Sequence, residues 1–384
     1  MILLVDVYTV SVLVFFGLIA VALYRDRKNV EVKAYIFFLR KTKRGLKILD
    51  KVASPRLFWK VAGTIGILVA FYLMISGMYV LTEYGKLILT GIVKQPGLNF
   101  VFPSPTSQQV SGSGFILIPF WSWIIIIASV IIPHEFMHGI LARVEKIRVK
   151  SMGLALFAIF PGAFVEPDEK QLKKIGLLAK LRIFAAGGFS NFVVYLLILT
   201  LVSDVIWPAF VPGGVVLTDV NSTSPAALAG LANGMVISKI DQTPVKVSYS
   251  EYLSKQRYLA KYFEELKPGD TVTLQTDTQS FSVKTAASPT NTSRAYLGIT
   301  YEPVVNGNKQ VLYDLLNLLT WMWILNYTIA IVNLAPIYPL DGGLMVRALA
   351  DKVSKKYAMA ITVLITMIAV GIFLVNIVVP FFIS

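Results

Sequence analysis

The chain has 384 residues, a formal net charge of +14, no cysteine and 55% hydrophobic residues, with a mean hydropathy of +0.67. This composition excludes an ordinary soluble globule and predicts several membrane spans; the missing cysteines exclude disulfides and thiolate metal ligands. The excess of Lys and Arg reads as membrane topology and anionic lipid, not nucleic acid, for which no binding module is visible.

In chain order, Val7 to Leu23 is the first apolar run. It lacks a basic segment before it and a small-residue cleavage site, so it reads as a retained span rather than a cleaved signal peptide. Residues 25–60 carry twelve Lys/Arg against three acids, Asp26, Glu31 and Asp50. The positive-inside rule makes this segment cytoplasmic and puts the N-terminus outside. Its apolar clusters, Tyr35 to Leu39 and Leu46, Ile48 and Leu49, fit a helix at an anionic lipid surface or a solvated basic linker. Val61 to Leu81 is the second span, and residues 83–114, rich in Gly, Pro and Ser, form an external loop. Phe115 to about Leu141 is the third span, running inward.

Near the cytoplasmic end of that span lies His134-Glu135-Phe136-Met137-His138, which holds both histidines of the chain. On a helix, positions i and i+4 share a face, so two imidazoles can reach one ion. His-Glu-x-x-His is the zinc metalloprotease pattern, with the glutamate as general base. Ionisable groups in a span are costly and mark function.

Ser151 to Val165 is apolar but broken by Gly153, Pro161 and Gly162, which predicts a re-entrant hairpin lining a cavity. Ile183 to about Ile206 is the fourth span. Gly187-Gly188-Phe189-Ser190-Asn191 near its start allows close helix packing and leaves Asn191 needing a partner. Residues 210–304 turn polar, with short β-like runs separated by turn residues; topology puts this domain outside. Val311 to Ala335 is the fifth span. Asn333 to Gly343 contains two prolines and two glycines that break the helix, and Ala358 to Phe382 is the last span. The expected fold is a polytopic α-helical membrane protein of about six spans with an inserted soluble β-rich domain. Its parts are residues 1–114 (first spans, basic segment, external loop), 115–209 (first part of the membrane core), 210–304 (inserted domain) and 305–384 (second part of the core and last span).

A catalytic zinc uses three protein ligands and leaves a position for water. Asp341, at the same membrane depth as His134 and His138, is a candidate third ligand; the competing reading is a turn residue in Leu-Asp-Gly-Gly. Glu135 would take the proton of a water activated on the zinc and deliver it to the leaving amine. Asn191 or Asn333 would donate to the oxyanion or to the substrate backbone. A bond inside a substrate helix must be unwound before attack, and the interrupted segments 151–165 and 333–343 are suited to hold the unwound strand by edge pairing.

Taken together these motifs resemble the site-2 protease family of intramembrane zinc metalloproteases. The resemblance covers roughly residues 115–384. It rests on His134-Glu135-x-x-His138, on Asn333-x-x-Pro336-x-x-x-Leu340-Asp341-Gly342, and on Gly187-Gly188-Phe189-Ser190-Asn191 between them. It also rests on Ser224 to Leu231 and Gly234 to Asp241, which look like a PDZ domain. Gln242 stands where a glycine usually closes the turn after Asp241. The resemblance implies one Zn2+ per chain on His134, His138 and Asp341, and substrate-assisting roles for Asn191 and Asn333. It further implies single-span membrane proteins as substrates, with the PDZ-like domain as a filter or reader, and a multi-pass location in the cell membrane. The competing reading outside enzymology is a membrane scaffold with a PDZ module and a vestigial or structural metal site; the intact Glu135 speaks against it. A protease of lipidated C-termini and a metal transporter fit the motifs less well.

Overall fold

A computed structural model describes residues 6–33, 37–43, 45–157, 160–253, 259–263 and 265–383. The chain forms two compact units, Met1–Leu196 together with Trp321–Ser384, and Leu197–Thr320. Among the described residues six helices are long and apolar enough to cross a membrane: Val7–Arg25, Arg56–Leu89, Phe120–Val144, Leu177–Phe210, Lys309–Leu334 and Ala358–Ile377. Each exceeds the roughly 17 residues that a bilayer core demands.

The first unit begins with α1 (Val7–Arg25), whose N-cap Asp6 accepts from Thr9 N–H at 2.7 Å and which buries no residue. Then follow β1 (Val30–Lys33), β2 (Phe37–Thr42), α2 (Leu46–Val52) and α3 (Arg56–Leu89). The expectation of a surface helix over Tyr35 to Leu39 is corrected for the described part: Phe37 to Leu39 belong to strand β2, while Tyr35 and Ile36 lie outside the described residues. The cause is non-local. Strand β6 (Val149–Phe157) supplies the partners, pairing Leu39 with Ala155 and Arg40 with Leu154. The helical half of the basic segment is α2, where Leu49 is fully buried in a cluster with Ile140, Leu141 and Ile147, so this side chain faces protein rather than lipid.

After α3 come β3 (Phe100–Ser104), β4 (Val110–Gly112), β5 (Phe115–Pro119) and α4 (Phe120–Val144). The third span therefore starts at Phe120, not Phe115. Residues Phe115 to Pro119 pair with β3 in parallel and β4 antiparallel; β-branched and aromatic side chains suit that sheet, and Pro119 stays extended as the helix N-cap. The broken stretch after α4 is a β-hairpin of β6 and β7 (Phe160–Pro167), with residues 158–159 outside the described set. Its sheet has the order β1-β2-β6-β7, which leaves β7 with an open edge. α5 (Glu169–Lys174) and α6 (Leu177–Thr200) follow. Asp168 caps α5, accepting from Lys170 and Gln171 N–H.

In the second unit a π-helical turn, Leu201–Ile206, leads into α7 (Trp207–Phe210). Beyond it β8 (Val215–Val220), α8 (Pro225–Leu228), β9 (Val236–Ile237), β10 (Lys239–Ile240), β11 (Thr243–Pro244), α9 (Tyr249–Leu253), α10 (Ala260–Phe263), β12 (Thr271–Gln275), β13 (Ser280–Lys284), β14 (Ala286–Ala287), β15 (Ala295–Tyr296) and β16 (Ile299–Pro303) form sheets of order β16-β8-β9 and β11-β10-β12-β13 and a β14-β15 pair. Val272, Leu274, Phe281 and Val283 are buried at alternate positions, the period expected of strands with one solvated face. Asp241 and Gln242, which join β10 to β11, both have positive φ, 45° and 69°.

The chain then forms α11 (Lys309–Leu334), α12 (Asp341–Val353) and α13 (Ala358–Ile377). Within the first unit, α3, α6, α11 and α12 share a core of Ile67, Ala70, Leu73, Ala185, Leu334 and Met345. The alanines among these contacts, Ala70 and Ala185, let helices pack closely where lipid gives no hydrophobic drive between them.

Candidate metal and catalytic site

α4 carries His134 and His138 one turn apart. Pro133, inside the helix, donates no N–H to the ladder. The carbonyl of Val130 accepts an amide hydrogen from Asn191 on α6 at 2.8 Å. The other donor hydrogen of Asn191 goes to Asn326 Oδ1 on α11 at 2.9 Å. These two acceptors fix the orientation of the Asn191 amide, and its Oδ1 lies 2.7 Å from His134 Nδ1. His138 Nδ1 lies 2.7 Å from the Ile183 carbonyl oxygen. An oxygen without protons can only accept, so both imidazoles carry their proton on Nδ1 and turn a bare Nε2 toward each other.

Asp341 reaches the same point from the first turn of α12. α11 ends at Leu334, and Ala335 to Leu340 make a tight connection with a cis Tyr338–Pro339 peptide. A Cβ on Gly342 would run into the Leu334 and Ala335 carbonyls, and one on Gly343 into the backbone of Ile337. The two glycines thus let α12 start directly against the end of α11, which puts Asp341 beside the histidines. Its Oδ2 lies 3.4 Å from His134 Nε2 and 3.3 Å from His138 Nε2, and the two Nε2 atoms are 3.3 Å apart.

The donor set fits a divalent cation. Tetrahedral ligands at about 2.0–2.1 Å from zinc are about 3.3–3.4 Å from one another, the size of this triangle. Three lone-pair atoms face each other with no hydrogen between them, and Asp341 Oδ2 is buried without a hydrogen-bond partner. Uncompensated, that arrangement is costly; a cation between the three resolves it. Asp341 joins the two histidines as the one group of three candidate metal ligands found among the described residues. α6 makes room for the cluster at Gly187, where a Cβ would collide with His134 Nε2 and His138 Nε2.

Glu135 stands outside this triangle. Its Oε2 accepts from the Val165 N–H of β7 at 3.2 Å, so the carboxylate is held where the open strand edge meets α4. Asn191 is completely buried and spends its amide on Val130, Asn326 and His134. Asn333 lies on the last turn of α11, half-buried, and its side chain has no hydrogen-bond partner among the described residues. The two asparagines expected to act alike therefore sit in different surroundings. Asn326, also completely buried, went unnoticed in the sequence; its amide donates to Ser129 Oγ and Met322 O. The signal was available, an amide in the middle of the apolar run Trp321 to Val332.

The family model for Peptidase family M50 matches residues 122–377, a stretch that holds every residue of this cluster. An uncharacterized protein of Methanocaldococcus jannaschii is 27% identical over 328 residues, covering 85% of this chain and 81% of the relative.

Proposed function

This chain belongs to peptidase family M50, the site-2 protease family, and from that premise we propose that it is an intramembrane zinc endopeptidase. The proposed substrates are membrane-anchored proteins, cut within or near a transmembrane helix. The observation that carries the reading is the triangle of His134 Nε2, His138 Nε2 and Asp341 Oδ2, with sides of 3.3–3.4 Å. His134, His138 and Asp341 would hold one Zn2+. When bound, the ion supplies Lewis acidity and lowers the pKa of a coordinated water.

The chain's own groups supply the rest. Glu135, next to both histidines in sequence but outside the ligand triangle, takes the proton of the attacking water and returns it to the leaving amine. Asn191 holds the His134 ring through Nδ1, and Ile183 does the same for His138, which fixes the tautomers that leave Nε2 free. Asn333, with no side-chain partner among the described residues, is the better placed of the two asparagines to donate to the oxyanion or the substrate backbone. The substrate strand lies along the open edge of β7. In an antiparallel ladder successive residues turn their N–H and C=O to opposite edges. Val165 N–H points outward to Glu135, so Ala163, two residues before it, offers its N–H and C=O to the same edge. Edge pairing holds an unwound segment extended, the conformation in which its carbonyl can be attacked.

The Lys/Arg bias supports the orientation in which the N-terminus and residues 210–304 lie outside and the zinc site lies toward the cytoplasm. In the same reading residues 210–304 form a PDZ-like filter or reader for single-span substrates; the two small antiparallel sheets and the Ser224-capped helix of that region support it. Metal content of the purified wild type and of Asp341→Ala tests the whole. About one zinc per chain, lost in the variant, is the expected result. Equal zinc in both would remove Asp341 from the site, and no zinc in either would favour the non-catalytic scaffold.

A further inference from the structure

Away from the metal site, the C-terminal end of α4, the segment after it and the N-terminal end of α3 enclose a cleft of about 730 Å³. Arg56, Arg143, Lys146, Arg148, Asp50 and Gln171 line it. Asp50 is the only carboxylate in that lining, and Arg143 Nε already takes it at 2.9 Å. Arg56, Lys146 and Arg148 have no carboxylate partner among the described residues. Gln171 accepts from the Arg148 N–H through Oε1 at 2.8 Å, which pins the loop and turns its Nε2 hydrogens free as donors. Three unneutralised cations and a neutral donor converging on one concavity are the chemistry of a phosphate-binding site. In the first turn of α3, a 34-residue helix, the Arg56 N–H donates to Ser54 O at 2.8 Å, and the N–H groups of Leu57 and Phe58 have no partner among the described residues.

We propose that this cleft binds the phosphate headgroup of an anionic membrane lipid. A free phosphate ion would satisfy the same cations, so the choice between the two rests on what adjoins them. Immediately after Arg56, α3 presents Leu57, Phe58, Val61, Ile65 and Leu68 as exposed apolar side chains. Their spacing of three and four residues makes one stripe on the span, starting at the end of α3 that carries Arg56. A lipid seated with its phosphate on Arg56 and Arg148 lays its acyl chains along that stripe; a free ion leaves it unused. Basic pockets at the ends of adjoining spans are where anionic headgroups bind. The inference does not depend on the peptidase reading, since none of these residues touches the metal cluster.

The test uses the purified full chain in an uncharged detergent. Its thermal unfolding midpoint is followed while dihexanoyl phosphatidylglycerol, dihexanoyl phosphatidylcholine or inorganic phosphate is added at equal concentration. The double variant Arg56→Gln/Arg148→Gln is compared with Lys239→Gln/Lys284→Gln, which removes the same charge from exposed positions of the second unit. Ligand binding to the folded state raises the midpoint. The expected result is a rise of at least about 2 °C with phosphatidylglycerol, well above that with the other two additions, lost in the cleft variant and kept in the control. An equal rise in the cleft variant, or none in the wild type, overturns the site. A rise with inorganic phosphate as large as with the lipid, lost in the cleft variant, overturns the lipid as its occupant.

Discussion

Asn191 Oδ1 lies 2.7 Å from His134 Nδ1, and this bond ties three helices to one candidate metal ligand. Asn191 sits on α6, His134 on α4, and the remaining amide hydrogens of Asn191 reach Val130 on α4 and Asn326 on α11. Because both partners of the amide are acceptors, the asparagine can only present its oxygen to the imidazole. The histidine is then locked as the Nδ1–H tautomer, the form whose Nε2 can bind a metal.

Removing that lock has a measurable cost. Asn191→Ala is expected to weaken zinc binding by about 10–100-fold, the usual effect of losing a hydrogen bond behind a ligating histidine. Asn191→Asp keeps an acceptor oxygen for His134 Nδ1 and is expected to retain more of the affinity. Competition with a chelator of known affinity measures both. Similar loss in the two variants would mean that the bonds to Val130 and Asn326 matter more than the one to His134.

Glu135→Gln is isosteric and should leave zinc content at the wild-type level, since Glu135 is not one of the three close ligand atoms. Cleavage of a reconstituted membrane substrate should fall below detection, because the amide cannot accept the water proton. Turnover persisting in this variant would remove Glu135 from the proposed chemistry.

Gly187→Ala introduces a Cβ where the two imidazole edges already are. Neither ring is free to retreat, since Asn191 and the Ile183 carbonyl hold them. Loss of zinc and of activity is expected. Gly176→Ala, where a Cβ meets nothing within 4 Å, is expected to change neither. Metal analysis and activity of the two variants, side by side, separate a local clash from a general intolerance of alanine.

Gln242 occupies the left-handed region at φ 69°, the second position of the two-residue turn between β10 and β11, where glycine carries no penalty. Gln242→Gly is expected to relieve about 1 kcal/mol of strain and to slow amide exchange across Lys239 to Thr243 by about fivefold. Metal content should not change. Exchange that is faster in the variant would mean that the gain in unfolded-state entropy outweighs the strain.

Much of this protein is legible in its sequence because the relevant physics is local. Six apolar stretches are six helices because a span must be long, apolar and self-satisfied in its backbone hydrogen bonds. His134 and His138 share a face because a helix repeats every 3.6 residues. Pro336, Pro339, Gly342 and Gly343 announce that α11 cannot continue into α12.

Tertiary structure alone decided what depends on partners far along the chain. Phe37 to Leu39 form a strand, not a surface helix, because β6, more than a hundred residues along the chain, completes their hydrogen bonds. Phe115 to Pro119 leave the span they seem to begin because β3 and β4 claim them. Asp341 could be a turn residue on local grounds; the close start of α12 against the end of α11 puts its oxygen 3.4 Å from His134. Asn191 and Asn333 look equivalent as lone amides in apolar surroundings, yet one is fully engaged with three partners and the other has none among the described residues. Side-chain periodicity fixes which face a residue occupies, but only the packing of separate helices fixes what that face meets.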